Sequence, residues 1–177
     1  MGVTVYVFDT HQRARAAILD GVTELVHHEK GHTLEAAIPA RFQAVPGEYL
    51  GFRCVDNRWR LFCITDTETD DAKGVDYIDA IDAAVDDLKY INVQDARQED
   101  VTAKQAVETL ISGTEWALGE VTATDKTGTT DAEWESLWSA LQTVETVLDV
   151  RVVPYYLISA LPAGRRNSFL PTLMPRK

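Results

Sequence analysis

Residues 28 to 32 read His-Glu-Lys-Gly-His, a literal match to H-E-x-x-H. In zinc peptidases that string places two imidazoles one helical turn apart on the metal, with the glutamate as general base on the metal-bound water. The chemistry requires a helix through His28, Glu29 and His32, and the surrounding residues are not patterned as one. Leu34, Ala36 and Ile38 alternate with Thr33, Glu35 and Ala37 up to Pro39, which is the two-residue period of a strand. Glu29-Lys30-Gly31 then falls where a hairpin turns, with Gly31 free to take positive φ. A catalytic zinc also needs a third protein ligand. The extended signature would put a glycine and a histidine at positions 35 and 38, which hold Glu35 and Ile38. Lys30 would add a cation beside the metal. His28, Glu29 and His32 are therefore rejected as a metal or catalytic set. No catalytic residue and no cofactor is expected, and a zinc metallopeptidase stands only as an alternative.

The elements that hold this string are those of a globular chain. At 177 residues, with 45% apolar and 25% charged residues, it can bury a core without staples. The opening "MGVTVYVFDT" lacks a basic n-region and an apolar h-region, and no window reaches the roughly 18 apolar residues of a spanning helix. Neither a secreted precursor nor a membrane anchor is expected. The formal charge of −11 argues against binding to a phosphate backbone, which clustered Lys and Arg drive. From Asp66 to Asp100 there are twelve acidic residues (66, 68, 70, 71, 76, 79, 82, 86, 87, 95, 99 and 100) against Lys73, Lys89 and Arg97. One strongly electronegative face or loop follows, and its aspartates do not have the spacing of a calcium loop.

From residue 3 to about 80 the pattern is β. "VTVYVFD" and "ARAAILDG" read as strands, and "GVTELVHH" with "HTLEAAIP" as a hairpin. In "GEYLGFRCVDNRWRLFCITDTE" a two-residue turn at Asp56-Asn57 would set Cys54 against Trp59, Phe52 against Leu61 and Leu50 against Cys63. Those six residues would share the packing face, with Arg53, Arg58 and Arg60 pointing away. Cys54 and Cys63 would then lie about 13 Å apart along the hairpin, beyond disulfide reach, as buried reduced thiols of a protein made in a reducing cytoplasm.

Helical spacing begins in "DAIDAAVDDLKYINV", where Ile81, Val85 and Leu88 mark a short helix ahead of a strand "YINV". Thr102 and Gln105 form a capping box for a helix carrying Ala106, Val107, Leu110 and Ile111, with Gly113 near its end. "TEWALGEV" follows as a strand. Thr130 and Glu133 suggest a second capping box, ahead of a stripe through Trp134, Leu137, Trp138, Leu141, Val144 and Leu148, and "VRVVPYYLIS" reads as a strand. The fold class is α+β: an antiparallel, barrel-like β domain over 1–95, a small α+β domain over 96–160, and a structureless ending over 161–177.

In this order the elements resemble the N-terminal region of the tail-tip hub proteins of long-tailed bacteriophages, the phage minor structural or prophage endopeptidase tail family. The resemblance covers roughly residues 3–155. It rests on "VYVFD", on a strand ending "ILD", and on the glycine hairpin "HHEKGHTLEAAIP". It continues in "FRC…RLFCITD", "VTAKQAVETLISGTEWALGEV" and "LWSALQTVETVLDVRV", the Trp116 segment being the most specific.

The resemblance implies a tail-tube-like barrel followed by an insertion domain, assembled as a homotrimeric ring in the virion tail tip and synthesised in the host cytoplasm. It implies distal tail and tape-measure proteins as partners. It also implies that the His28 hairpin is structural, since the endopeptidase in the family's name is a later domain. The basic, proline-rich ending departs from the family, as a fragment or a truncated prophage remnant would. DNA would pass through such a ring unbound if the wall carried the sign of the phosphates. Asp66, Glu68, Asp70, Asp71, Asp76 and Asp79 would supply that wall. A carbohydrate or receptor binding module is a further alternative. Exposed tryptophans would mark it, whereas Trp116, Trp134 and Trp138 all fit core stripes.

Overall fold

The computed structural model describes residues 3–28, 32–54, 58–119 and 125–154, and beyond them the backbone of three closing strands, Tyr156–Ser159, Arg165–Phe169 and Thr172–Pro175. The chain divides into two compact units, Met1–Ala83 with Ile158–Asn167, and Ala84–Leu157 with Ser168–Lys177.

The first unit is built on seven antiparallel strands: β1 (Val5–Phe8), β2 (Ala14–Ile18), β3 (Glu24–His28), β4 (Thr33–Pro39), β5 (Tyr49–Arg53), β6 (Trp59–Asp70) and β7 (Val75–Asp82). Their order is β2-β1-β5-β6-β7-β4-β3, curled into a half-barrel, so the barrel-like α+β reading holds. The edges of the sheet, β2 and β3, are consecutive in the chain, linked by residues 19–23.

Alternation places Val5, Val7, Leu34, Ala36, Ile38, Leu50, Phe52, Phe62, Ile64, Ile78 and Ala80 in one buried cluster. There Phe52 and Phe62 stack with ring centroids 5.4 Å apart. Burying each large side chain contributes about 1.5–3 kcal/mol, which is why this face rather than local propensity fixes the sheet. On the opposite face Gly51 lies under Phe8, whose ring edge would be 2.6 Å from an added Cβ. A side chain at 51 would push the ring off the sheet.

The β5–β6 register differs from the one the sequence suggests. Tyr49 pairs with Cys63, Leu50 with Phe62, Gly51 with Leu61, Phe52 with Arg60 and Arg53 with Trp59, and the Cys54 N–H donates to the Arg58 carbonyl at 2.9 Å. Three residues, 55 to 57, thus separate the paired ends, and the Asp56-Asn57 turn itself lies outside the described residues. A one-residue slip exchanges the faces of a strand. The proposed packing face therefore splits: Leu50, Phe52 and Cys54 belong to the core side, while Trp59, Leu61 and Cys63 lie on the other. Phe62 and Ile64 take the places given to Leu61 and Cys63. Trp59 packs edge-on against Tyr6, with centroids 5.4 Å apart. Arg60 turns into the core side and meets Asp82 at 3.6 Å, with side chains 10% and 5% exposed. Cys54 and Cys63 are half-buried thiols that form no disulfide.

β6 is twelve residues long and carries a bulge: Ile64 pairs with Ala80, but Asp66 pairs with Asp79. Thr65 is the extra residue, and its hydroxyl donates to the Asp79 carbonyl at 3.0 Å. A bulge inserts one unpaired residue and so shifts the alternation. Before it the even-numbered Phe62 and Ile64 face the core. After it Thr67 and Thr69 take that side, and Asp66, Glu68 and Asp70 face the other way.

The second unit contains helix α1 (Ala83–Tyr90) from Ala84 onward, strand β8 (Gln98–Thr102), helix α2 (Ala103–Ile111), strand β9 (Thr127–Thr130), helix α3 (Leu137–Leu148) and strand β10 (Val150–Val153). The Thr102–Gln105 capping box is formed, with both side chains bonded to the other's backbone N–H. α2 packs on α3, and α3 on β9 and β10, through the buried Ala106, Val107, Leu110, Leu137, Trp138, Leu141, Val144 and Leu148.

Here too the structure corrects several expectations. Ile81 belongs to β7, not to α1. In place of a "YINV" strand there is one bridge, Asn92 to Ser136. "TEWALGEV" forms no strand among the described residues, though Trp116 is buried at 6% exposure. α3 is capped by Ser136, whose hydroxyl accepts from the Ser139 N–H, while Thr130 ends β9. "VRVVPYYLIS" is broken at Pro154 into β10 and β11 (Tyr156–Ser159), and the ending, read as structureless, holds β12 (Arg165–Phe169) and β13 (Thr172–Pro175). β11 pairs with β12, and β13 with β10. The absence of apolar alternation over 161–177 hid these strands.

Candidate functional site: a carboxylate face on the main sheet

The metal-like string is pulled apart by the hairpin that carries it. His28 ends β3 opposite Thr33, and its Nε2 lies 3.1 Å from Glu35 Oε1 on the exposed side of the sheet. His32 sits in the turn at φ 54, with its carbonyl accepting from the Asp82 N–H at 2.7 Å. Glu29 lies outside the described residues. No helix aligns the two imidazoles, and among the described residues no three His, Cys, Asp or Glu side chains gather to hold a metal ion.

The distinctive chemistry lies instead on the non-core side of β3, β4, β7 and β6. Glu35 pairs with Asp79 across β4 and β7, and Asp79 pairs with Asp66 across β7 and β6, so three carboxylates lie in one row. In the next row Glu24 pairs with Ala37, Ala37 with Tyr77 and Tyr77 with Glu68. Together Glu24, Glu35, Asp66, Glu68, Tyr77 and Asp79 line a shallow depression. Like charges directly opposite on a sheet destabilise it. The strands form anyway because their other face buries Leu34, Ile38, Ile64 and Ile78.

Asp70 closes this face beside the β6–β7 turn. The Lys73 ammonium, 3.0 Å away, holds the Asp70 carboxyl below its ordinary range, and a bond from the Lys73 N–H adds to the effect. In return Asp70 raises the Lys73 amine, helped by the Tyr77 hydroxyl. A similar local device acts at Asp9, lowered chiefly by the backbone N–H of Arg13 against an opposing effect of desolvation.

Of the acidic residues expected on one face, Asp66, Glu68, Asp70 and Asp79 share it, and Asp71 is exposed in the turn that follows. Asp76 does not share it: it is 3% exposed on the core side and accepts from the Thr69 hydroxyl at 2.8 Å. Glu24 and Glu35 belong to the face and went unread in the sequence, although their alternation in β3 and β4 was visible. Of the arginines expected to point away, Arg53 is exposed, Arg58 is half-buried, and Arg60 is turned to the core side with its side chain nearly removed from solvent. A face of this kind repels polyanions and attracts cations.

No family model matches the sequence, and no curated protein matches it. The fold does have relatives among solved structures. The prophage tail protein gp18 from Listeria monocytogenes EGD-e matches 97% of the chain at 12% identity with a TM-score of 0.65. The tail protein from Neisseria meningitidis MC58 matches 98% at 15% identity with a TM-score of 0.57. The chain spans 50% of the length of each of these proteins. Over nearly its whole length, then, this chain has the fold of phage and prophage tail proteins.

Proposed function

We propose that the chain is a non-enzymatic structural component of a long-tailed phage or prophage tail, part of the hub that joins the tail tube to the tip. The observation that carries this reading is the fold, shared over 97% of the chain with a prophage tail protein at a TM-score of 0.65. In this role three copies close into a ring, and neighbouring copies cover the sheet edges β2 and β3, which otherwise invite uncontrolled pairing. Distal tail and tape-measure proteins are the partners. The row Glu35, Asp79, Asp66, with Glu24, Glu68 and Asp70, faces the lumen and lets DNA pass without holding it. In support, this face of the sheet is the side not committed to the core.

Immunogold labelling of induced tails with an antibody to this chain tests the placement. Gold confined to the tip is the expected result; gold along the whole tube, or none on tails, would refute it. In a reconstructed ring, a channel lined by Arg53 with the carboxylate face outside would refute the lumen assignment alone. Duplex DNA should not bind the protein at low salt.

A further inference from the structure

Two large aromatic side chains of the second unit stand in solvent, Trp134 at 78% exposure and Tyr90 at 79%. Trp134 lies in one of two paired segments, and Tyr90 ends α1 just before the other. Residues 91–96 run against 132–137 through bonds from the Leu137 N–H to the Ile91 carbonyl (2.7 Å), from Val93 to Glu135 (2.9 Å) and from Ala96 to Ala132 (3.0 Å). The spacing of Trp134 with Trp138 and Leu141 offers Trp134 a place in the buried stripe of α3, yet the helix starts after Ser136 and leaves the indole outside. Its backbone is left-handed, at φ 47. Among the described residues, the other non-glycine positions with positive φ are Gln12, His32, Gln43, Asp100 and Asp149, all polar, as is usual for that conformation. An indole held in solvent by an unfavourable backbone needs a reason outside the fold.

The fringe of this indole is anionic. Asp131 and Glu133 flank it in sequence and Asp95 lies on the paired segment, all three exposed. The nearby Arg97 is occupied by Glu99 at 3.1 Å. We propose that Trp134 and this carboxylate fringe form a docking point for an arginine-bearing segment of a partner protein. The guanidinium lies over the indole face and pairs with Asp131, Glu133 or Asp95. Arginine stacks on tryptophan better than lysine does, and its planar fork suits carboxylates. The carboxylates select a cation over a neutral sugar. The inference stands independently of the tail reading.

The test uses the full chain labelled with 5-fluorotryptophan, with the Trp134 resonance assigned by its loss in Trp134→Phe. Titration with a hexa-arginine peptide should move the Trp134 resonance, and Trp134→Ala should weaken binding about fivefold. The doubly neutralised sheet face, Glu35→Gln with Asp79→Asn, should leave the Trp134 response intact, which separates this point from the carboxylate rows. An unmoved Trp134 resonance, or equal affinity in Trp134→Ala, would overturn the proposal. So would a response to neutral maltohexaose alone, or a shift with protein concentration alone, which would assign the indole to a sugar or to a second copy.

Discussion

Asp66 and Asp79 face each other in register across β6 and β7, and neither carries an ion pair among the described residues. On its other side Asp79 meets Glu35 in the same way. The middle carboxylate of the row therefore bears repulsion from both neighbours while the core side of the sheet holds the strands together. Neutralising it should stabilise the protein. Asp79→Asn is expected to raise the urea midpoint by the equivalent of about 0.2–1 kcal/mol per relieved pair, and added salt should shrink the gain. A loss of stability would mean that the carboxylates are not in unrelieved contact.

The β5–β6 register has a covalent test. Arg53 and Trp59 are Cα partners next to the hydrogen-bonded pair of Cys54 and Arg58, a non-hydrogen-bonded position whose Cα separation of about 4.5 Å suits a disulfide. In a Cys54→Ser, Cys63→Ser background, Arg53→Cys with Trp59→Cys should cross-link under mild oxidation. Phe52→Cys with Leu61→Cys, the pair a two-residue turn would bring together, should not. The reverse outcome on mass analysis would restore the shorter turn.

The Arg60–Asp82 pair is nearly removed from solvent. Breaking a buried pair strands the remaining charge, so Asp82→Ala should cost about 3–5 kcal/mol in urea unfolding. Arg60→Met combined with Asp82→Leu should recover most of that loss. If the double variant were as unstable as the single one, Asp82 would owe its importance to some other contact.

At the β6–β7 turn, Asp70 and Lys73 are coupled in opposite directions. A carboxyl lowered from 3.8 contributes stability that is complete above that value and is lost as pH falls through the folded one. An amine raised from 10.5 contributes stability that is complete below that value and is lost as pH rises through the folded one. Asp70→Asn should therefore flatten the decline of the urea midpoint at both the acid and the alkaline limb. The change will be small, because both groups are solvated. Unchanged limbs in the variant would argue that the turn is not held by this pair.

What was legible in the sequence follows from the range of the interactions concerned. The capping box of Thr102 and Gln105 is closed within four residues, so its types and spacing announce it. The hairpins β3–β4 and β5–β6 were visible from alternation, and so was the exclusion of a helix at His28. Register was not: whether Leu50 meets Phe62 or Cys63 depends on one residue in the turn, and apolar side chains occupy both sides of β6. Thr130 with Glu133 has the types and spacing of a capping box, yet the cap of α3 is Ser136. The helix starts there because 91–96 pair with 132–137, a contact about forty residues apart in the chain that no local pattern encodes. The same pairing expelled Trp134 from the stripe its spacing promised. Asp76 looked like one more surface acid until the bulge at Thr65 brought Thr69 across from it.

That bulge also works as a phase shifter. Phe62, Ile64, Asp66, Glu68 and Asp70 all fall on even positions, so an unbroken strand would send apolar and ionised side chains to the same side. One unpaired residue reconciles two halves written in the same parity. Losing the bulge while keeping Thr65 in the ladder would turn three carboxylates into the hydrophobic interior. Deleting Thr65 would not, because Ile64 and Asp66 already pair with the consecutive residues Ala80 and Asp79. The deletion closes an unbroken ladder with Asp66, Glu68 and Asp70 on the side they now occupy. A Thr65 deletion variant is therefore expected to fold with those carboxylates still in solvent, and one that failed to fold would contradict this reading of the bulge.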